Sequence, residues 1–275
     1  MQNIDPIYFL TPLIVIGFSL GLVAYWRLRK RFSAWVLLLS LAAYAGAIIL
    51  KDIFQVVTLK PFEAAVGGDP AALGIYFGLQ TVIFEVGGAY LVAWYAFSRG
   101  KIRAEDASGY GIGLAFWENG VLIGGSLLLD YAIISLTLSG GGSAAQQLFA
   151  ILAKDSPALF YSPSFAFPLI GSAVLERVSS LFVHFSWGLL CVSAVVFRRR
   201  LFLLLALPMG LVDFLPPFAG SMGLLDFEGV LFALSLLSLA VALVSTRAFR
   251  RHPSETPRPS SGSPQQMPEG VPLRD

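Results

Sequence analysis

The chain has 275 residues, 56% of them apolar and only 13% charged, with 22 phenylalanines, a mean hydropathy of +0.73 and a formal net charge of +2. A water-soluble domain of this size needs more polar surface than that, so soluble enzyme folds, secreted disulfide scaffolds and nucleic-acid-binding domains are excluded. The single cysteine, Cys191, forms no intrachain disulfide and reads as a small apolar residue within a hydrophobic run.

A spanning helix needs roughly 20 apolar residues at about 1.5 Å each, and seven stretches qualify. The first, Pro6 to Trp26, has no basic residue before it and a basic cluster after it, the reverse of a cleavable signal peptide, so it is read as a retained anchor. The second runs from Phe32 to Leu50, the third from Ala72 to Phe97 and the fourth from Gly109 to Ser135. The segment from Leu136 to Ser172 opens on Gly140, Gly141 and Gly142 and carries Phe160, Tyr161, Phe165 and Phe167. It is expected to be an interfacial loop, with a lid over an outward-facing cavity as the alternative. The fifth, sixth and seventh spans run from Ala173 to Phe197, Leu201 to Ser221 and Gly229 to Thr246. Residues 251–275 contain six prolines among Ser, Gln and Gly and are expected to be a disordered tail after a transmembrane domain of residues 1–250.

Fifteen of the 19 basic residues follow the first, third, fifth and seventh spans, while Lys51, Lys60 and Lys154 fall in the opposite loops. Positive charge stays inside, so the N-terminus is expected outside and the C-terminus in the cytoplasm. The fold class expected is an all-α polytopic bundle of about seven spans in the cell membrane, with the lipid bilayer as its surroundings.

Ionisable groups at bilayer depth cost about 2.5–3.5 kcal/mol each on insertion scales, so they face one another or a wet cavity. Glu85, Glu118, His184 and Asp213 sit on four different spans, and counting residues from the span ends places all four near mid-depth. Such a set suits general acid/base chemistry on water, a proton relay, or a divalent metal held by the carboxylates and His184. Nearer the outer surface, Glu176, Arg177 and Asp130 are at comparable height, and Arg177 is expected to pair with a carboxylate. Glycines flank Glu85 and Glu118, which suggests that the third and fourth spans pack together along a small-residue seam. No HExxH, CxxC, Walker A or G-x-S-x-G motif occurs, and the only other histidine is His252 in the tail.

The ordered set FEVGGAYL (Phe84 to Leu91), GYGIGLAFWENG (Gly109 to Gly120), LERVSSLFVHF (Leu175 to Phe185) and GLVDF (Gly210 to Phe214) resembles the YhfC-type membrane proteins. These are related to the glutamic-type intramembrane proteases of the CAAX-protease and bacteriocin-processing superfamily. The resemblance implies that Glu85 activates water and that Glu176, Arg177 and His184 belong to the site. It also implies polar residues at four positions where this chain has Val86, Ala89, Leu114 and Met209.

The function expected is therefore a divergent intramembrane peptidase, or a degenerate relative that only binds membrane-associated peptide segments. Glu85, His184, Glu118 and Asp213 are the expected catalytic residues, with Glu176 and Arg177 supporting them. The alternatives are an ion- or proton-coupled transporter using the same four residues, and a structural membrane subunit.

Overall fold

The computed structural model describes residues 3–30 and 32–251, so the expected tail at 252–275 lies outside the described residues. It contains seven helices long and apolar enough to cross a membrane and, among the described residues, no strand. We number the helices α1 (Pro6–Lys30), α2 (Ala34–Val66), α3 (Pro70–Ser98), α4 (Ala104–Gly140), α5 (Gly142–Asp155, which does not span), α6 (Pro163–Val196), α7 (Arg200–Phe218) and α8 (Leu224–Arg251). The protein is thus a multi-pass membrane protein. Successive spans alternate in direction, which gathers Arg27, Arg99, Arg199 and Arg247 at one end, called the basic end below.

The centre of the bundle is α6. Its most apolar window is 83% buried, against 33% or less for each of the other spans, and its main neighbours are α8 and α4. Close approach is built from glycine. A Cβ on Gly188 of α6 would stand 2.6 Å from the Gly111 Cα of α4, and one on Gly111 would collide with the Phe185 carbonyl. The neighbouring Gly113 faces Ser40 of α2 in the same way. The glycines of α4 therefore pack on α6 and α2, which corrects the expected seam between the third and fourth spans. Between α3 and α4 the Tyr110 hydroxyl donates to the Ala89 carbonyl at 2.8 Å.

Two further expectations change. The second span does not end at Leu50 but continues to Val66, where Gly67 takes a left-handed conformation (φ 63°) and its N–H donates to the Glu63 carbonyl. Lys51 and Lys60, expected in a loop, are therefore helical. A lysine does not stop a helix, whereas the Gly67–Gly68 pair does. The segment 136–172 is also mostly helical, formed by the end of α4, all of α5, a 3-10 turn over Pro157–Phe160 and the start of α6. It folds on itself through Phe149 and Phe160, whose rings lie 5.0 Å apart, and is tied to α1 by the Tyr8 hydroxyl, which donates to the Ala158 carbonyl.

Helix α7 is short and tight. Pro208, Pro216 and Pro217 remove backbone donors, and the chain narrows to 3-10 geometry over Leu207–Phe214 and again over Pro216–Phe218. It docks against α3, where a Cβ on Gly210 would meet Val82 at 3.0 Å, and has little contact with α8.

Overpacking at the α4–α6 crossing should be felt directly. Gly188→Val is expected to lower the unfolding free energy by about 1–3 kcal/mol in detergent micelles. Gly17→Val, at an exposed position with nothing near its Cβ, should change it by less than about 0.5 kcal/mol.

Candidate active site

Five ionisable side chains from five helices meet in one layer: Lys51 of α2, Glu85 of α3, Glu118 of α4, His184 of α6 and Asp213 of α7. At about 1.5 Å per residue, all five lie roughly 18–26 Å from the basic end. All four residues expected to be catalytic are thus brought together, and a lysine is added to them.

Local backbone geometry helps to place the two glutamates. The helical hydrogen-bond pattern widens to π geometry over Thr81–Val86, which carries Glu85, and over Phe116–Ile123, which carries Glu118. A π turn inserts a residue into the helical turn and re-aims the side chains on it, and such turns concentrate at functional sites. The 3-10 stretch of α7 carries Asp213 toward the same point.

The Lys51 ammonium has three protons and three acceptors. It donates to Glu85 Oε1 at 2.6 Å, Thr81 Oγ1 at 2.7 Å and Asp213 Oδ2 at 3.0 Å. The Thr81 hydroxyl in turn donates a hydrogen bond to Asp213 Oδ2 at 2.5 Å. The Glu85 side chain is 7% exposed and that of Asp213 36%, so the ammonium ties a buried carboxylate to one that borders open space.

His184 forms the second half. Its Nδ1–H donates to the Ser180 carbonyl at 2.9 Å, since a carbonyl can only accept, and this turns Nε2 toward the carboxylates. Nε2 lies 3.3 Å from Glu85 Oε2 and 2.5 Å from Glu118 Oε2. The second contact is an ion-pair approach without hydrogen-bond alignment, so Glu118 Oε2 is a buried oxygen with no aligned partner. Its other oxygen accepts from Ser180 Oγ at 3.2 Å, and Asn119 Nδ2 donates to the same hydroxyl at 3.3 Å. Trp187, its ring centroid 4.0 Å from that of His184, closes the far side of the imidazole.

A cavity of about 430 Å³ opens on this layer, its walls including Lys51, Glu85, Glu118, His184 and Asp213. The rest of its lining, with Gln55, Leu122, Glu176, Arg177 and Phe227, extends away from the basic end. Arg177 pairs with the adjacent Glu176 rather than with Asp130, and both border the cavity above the layer. No residue of 136–172 lines it, so that segment is not a lid over this cavity.

Sequence reasoning missed Lys51, Thr81 and Ser180. A signal for the first was present: Lys51, Gln55 and Thr58 recur at i, i+4 and i+7, a polar stripe that faces α3. Gln55 donates to Gln80 at 3.0 Å and Thr58 bonds Tyr76 at 2.7 Å.

The model of one protein family, described as YhfC intramembrane metalloprotease, matches residues 13–231. The chain belongs to this family. Searches of curated proteins and of solved structures returned no match.

The family's description implies a metal, and the residues present do not fit one. His184 is the one histidine among the described residues, and no group of three or more His, Cys, Asp or Glu side chains there is arranged to hold an ion. The space between Glu85 and Asp213 is filled by the Lys51 ammonium. The four positions where the YhfC resemblance implies polar groups, Val86, Ala89, Leu114 and Met209, are all buried in the apolar core.

Removing one partner of a buried ion pair typically costs about 3–5 kcal/mol, because the remaining charge is stranded. Lys51→Met is expected to destabilise the protein in lipid nanodiscs by about that amount, and adding Asp213→Asn should recover part of it. Lys60→Met, on an exposed part of α2, should leave unfolding unchanged within about 0.5 kcal/mol.

Proposed function

We propose that the protein is a divergent intramembrane peptidase that hydrolyses membrane-associated peptide segments. The observation that carries this reading is the polar cavity within the bundle, where Glu118, His184 and Glu85 converge in a family described as intramembrane metalloproteases. An apolar groove of about 680 Å³ between α3, α7 and α8 supports it. That groove shares Val183 and Val212 with the polar cavity.

The roles follow from which atoms are committed. Both Glu85 oxygens are engaged, Oε1 by Lys51 and Oε2 by His184, whereas Glu118 Oε2 has no aligned hydrogen bond. The Glu118–His184 pair therefore takes the proton from water and returns it to the leaving amine. Glu85 and Asp213 act as positioning residues, joined by Lys51. This moves water activation from Glu85, where the sequence resemblance puts it, to Glu118. The positive-inside orientation then has the cavity open toward the outer side, and Glu176 and Arg177 line its approach.

The transporter alternative needs a chain of groups running through the depth of the membrane. The bonded series from Asp213 through Lys51, Glu85 and His184 to Glu118 lies within one layer instead.

The test is cleavage of a library of transmembrane and prenylated peptides by purified protein in nanodiscs, read by mass spectrometry. Glu118→Gln and His184→Ala are each expected to slow cleavage by about 10²–10⁴-fold, the usual worth of a positioned acid/base group. No cleavage by the wild type, or cleavage that persists in both variants, sinks the reading.

A further inference from the structure

We propose that Lys51 is a resident cation standing where a divalent metal would otherwise bind the carboxylates, so that this site is built to work without a metal ion. The inference concerns ion occupancy and does not depend on peptidase activity.

Three observations carry it. Lys51 Nζ sits on Glu85 Oε1, Asp213 Oδ2 and Thr81 Oγ1 at 2.6, 3.0 and 2.7 Å, from three acceptors on two other helices. Metal–oxygen bonds of about 2.0–2.6 Å to the same atoms would require the volume the nitrogen fills. The second is the His184–Glu118 contact. Two ligands on one tetrahedral ion at about 2.0–2.1 Å lie roughly 3.3 Å apart. His184 Nε2 and Glu118 Oε2 are 2.5 Å apart, in direct contact with no place between them for an ion, so the 3.3 Å pair of His184 Nε2 and Glu85 Oε2 lacks a third ligand. The third is the donor set. Leu114 and Met209, two of the positions where the YhfC resemblance implies polar side chains, are packed apolar groups, and His184 is the one imidazole among the described residues.

A tethered ammonium and a divalent ion differ in what they supply. The ammonium neutralises one carboxylate charge and fixes the distance between α3 and α7 through hydrogen bonds, but has no open coordination position for water or a carbonyl. Activation of water is thereby left to the Glu118–His184 pair.

The test is elemental analysis of the wild-type protein purified in detergent without chelator and incubated with Zn²⁺, Mn²⁺ or Co²⁺, together with the thermal midpoint with and without those ions and with EDTA. Less than about 0.1 ion per chain and an unmoved midpoint are expected, whereas bound site metals shift midpoints by mass action. A stoichiometric ion that disappears in Glu85→Gln or His184→Ala overturns the proposal. An ion retained by both variants lies elsewhere and leaves it standing. Lys51→Ala, which frees the two carboxylates, should acquire an ion that the wild type lacks, read as bound metal and as a thermal midpoint that rises when the ion is added to this variant and falls with EDTA. A folded Lys51→Ala protein that gains none shows that the ammonium does not stand in a cation site. If that variant does not fold, the wild-type measurements decide alone.

Discussion

The ammonium of Lys51 between Glu85 and Asp213 is the contact on which the layer depends. An isolated ion moved to a medium of low dielectric costs several kcal/mol even after relaxation, so neither the buried Glu85 carboxylate nor the lysine is tolerable there alone. Together they are tolerable only if α2, α3 and α7 hold their spacing to within hydrogen-bond reach. That requirement accounts for features that otherwise look unrelated. The π segment of α3 places Thr81 and Glu85 on the same ammonium, and Gly210 lets the 3-10 stretch of α7 approach Val82 closely enough for Asp213 to reach it. Small residues allow backbones to approach, and polar pairs fix the distance at which they stop.

His184 extends the same network to α4 and α6, and here rigidity comes from the surroundings. The Ser180 carbonyl orients the ring, Trp187 lies against it, and the Gly111–Gly188 crossing sets the separation of the two helices. His184 therefore sits on the most buried helix of the protein, and Glu118 reaches it from α4. Glu118 in turn is held by Ser180, one turn before His184 on the same helix. The cavity lies to one side of this pair, bordered by α7, the least regular span. The cavity is thus walled by the buried α6 on one side and by the short 3-10 stretch of α7 on the other.

The number of spans and the convergence of Glu85, Glu118, His184 and Asp213 were legible because hydropathy and depth depend on residue counts alone. Partners were not legible, for two physical reasons. Hydropathy treats a charged residue as a boundary, so Lys51 ended the second span on paper at Leu50, although the helix continues for four more turns to its glycine cap. Glycine runs mark close approach without naming the partner, so the seam of α4 was assigned to its neighbour in sequence rather than to α6. Departures from α geometry were equally invisible. Thr81–Val86 and Phe116–Ile123 contain no proline or other residue pattern that marks them as π segments.

The apolar replacements and the lysine are best understood as one change. In the YhfC resemblance, polar side chains stand at positions 86, 89, 114 and 209; here Val86, Ala89, Leu114 and Met209 are packed in the core. Without a cation between them, Glu85 and Asp213 would stand close together as uncompensated charges. A lysine at the end of a four-carbon stem restores charge balance from a helix that needs no other alteration, because its stem packs along α2 while its head reaches α3 and α7. The carboxylates are thus retained by pairing, whether or not they still touch a reacting atom. Retention of Glu85 and Asp213 is accordingly weak support for catalysis. The Glu118–His184 contact, which borders the cavity, is stronger support, because it sets a carboxylate and an imidazole side by side where a water and a peptide can reach them.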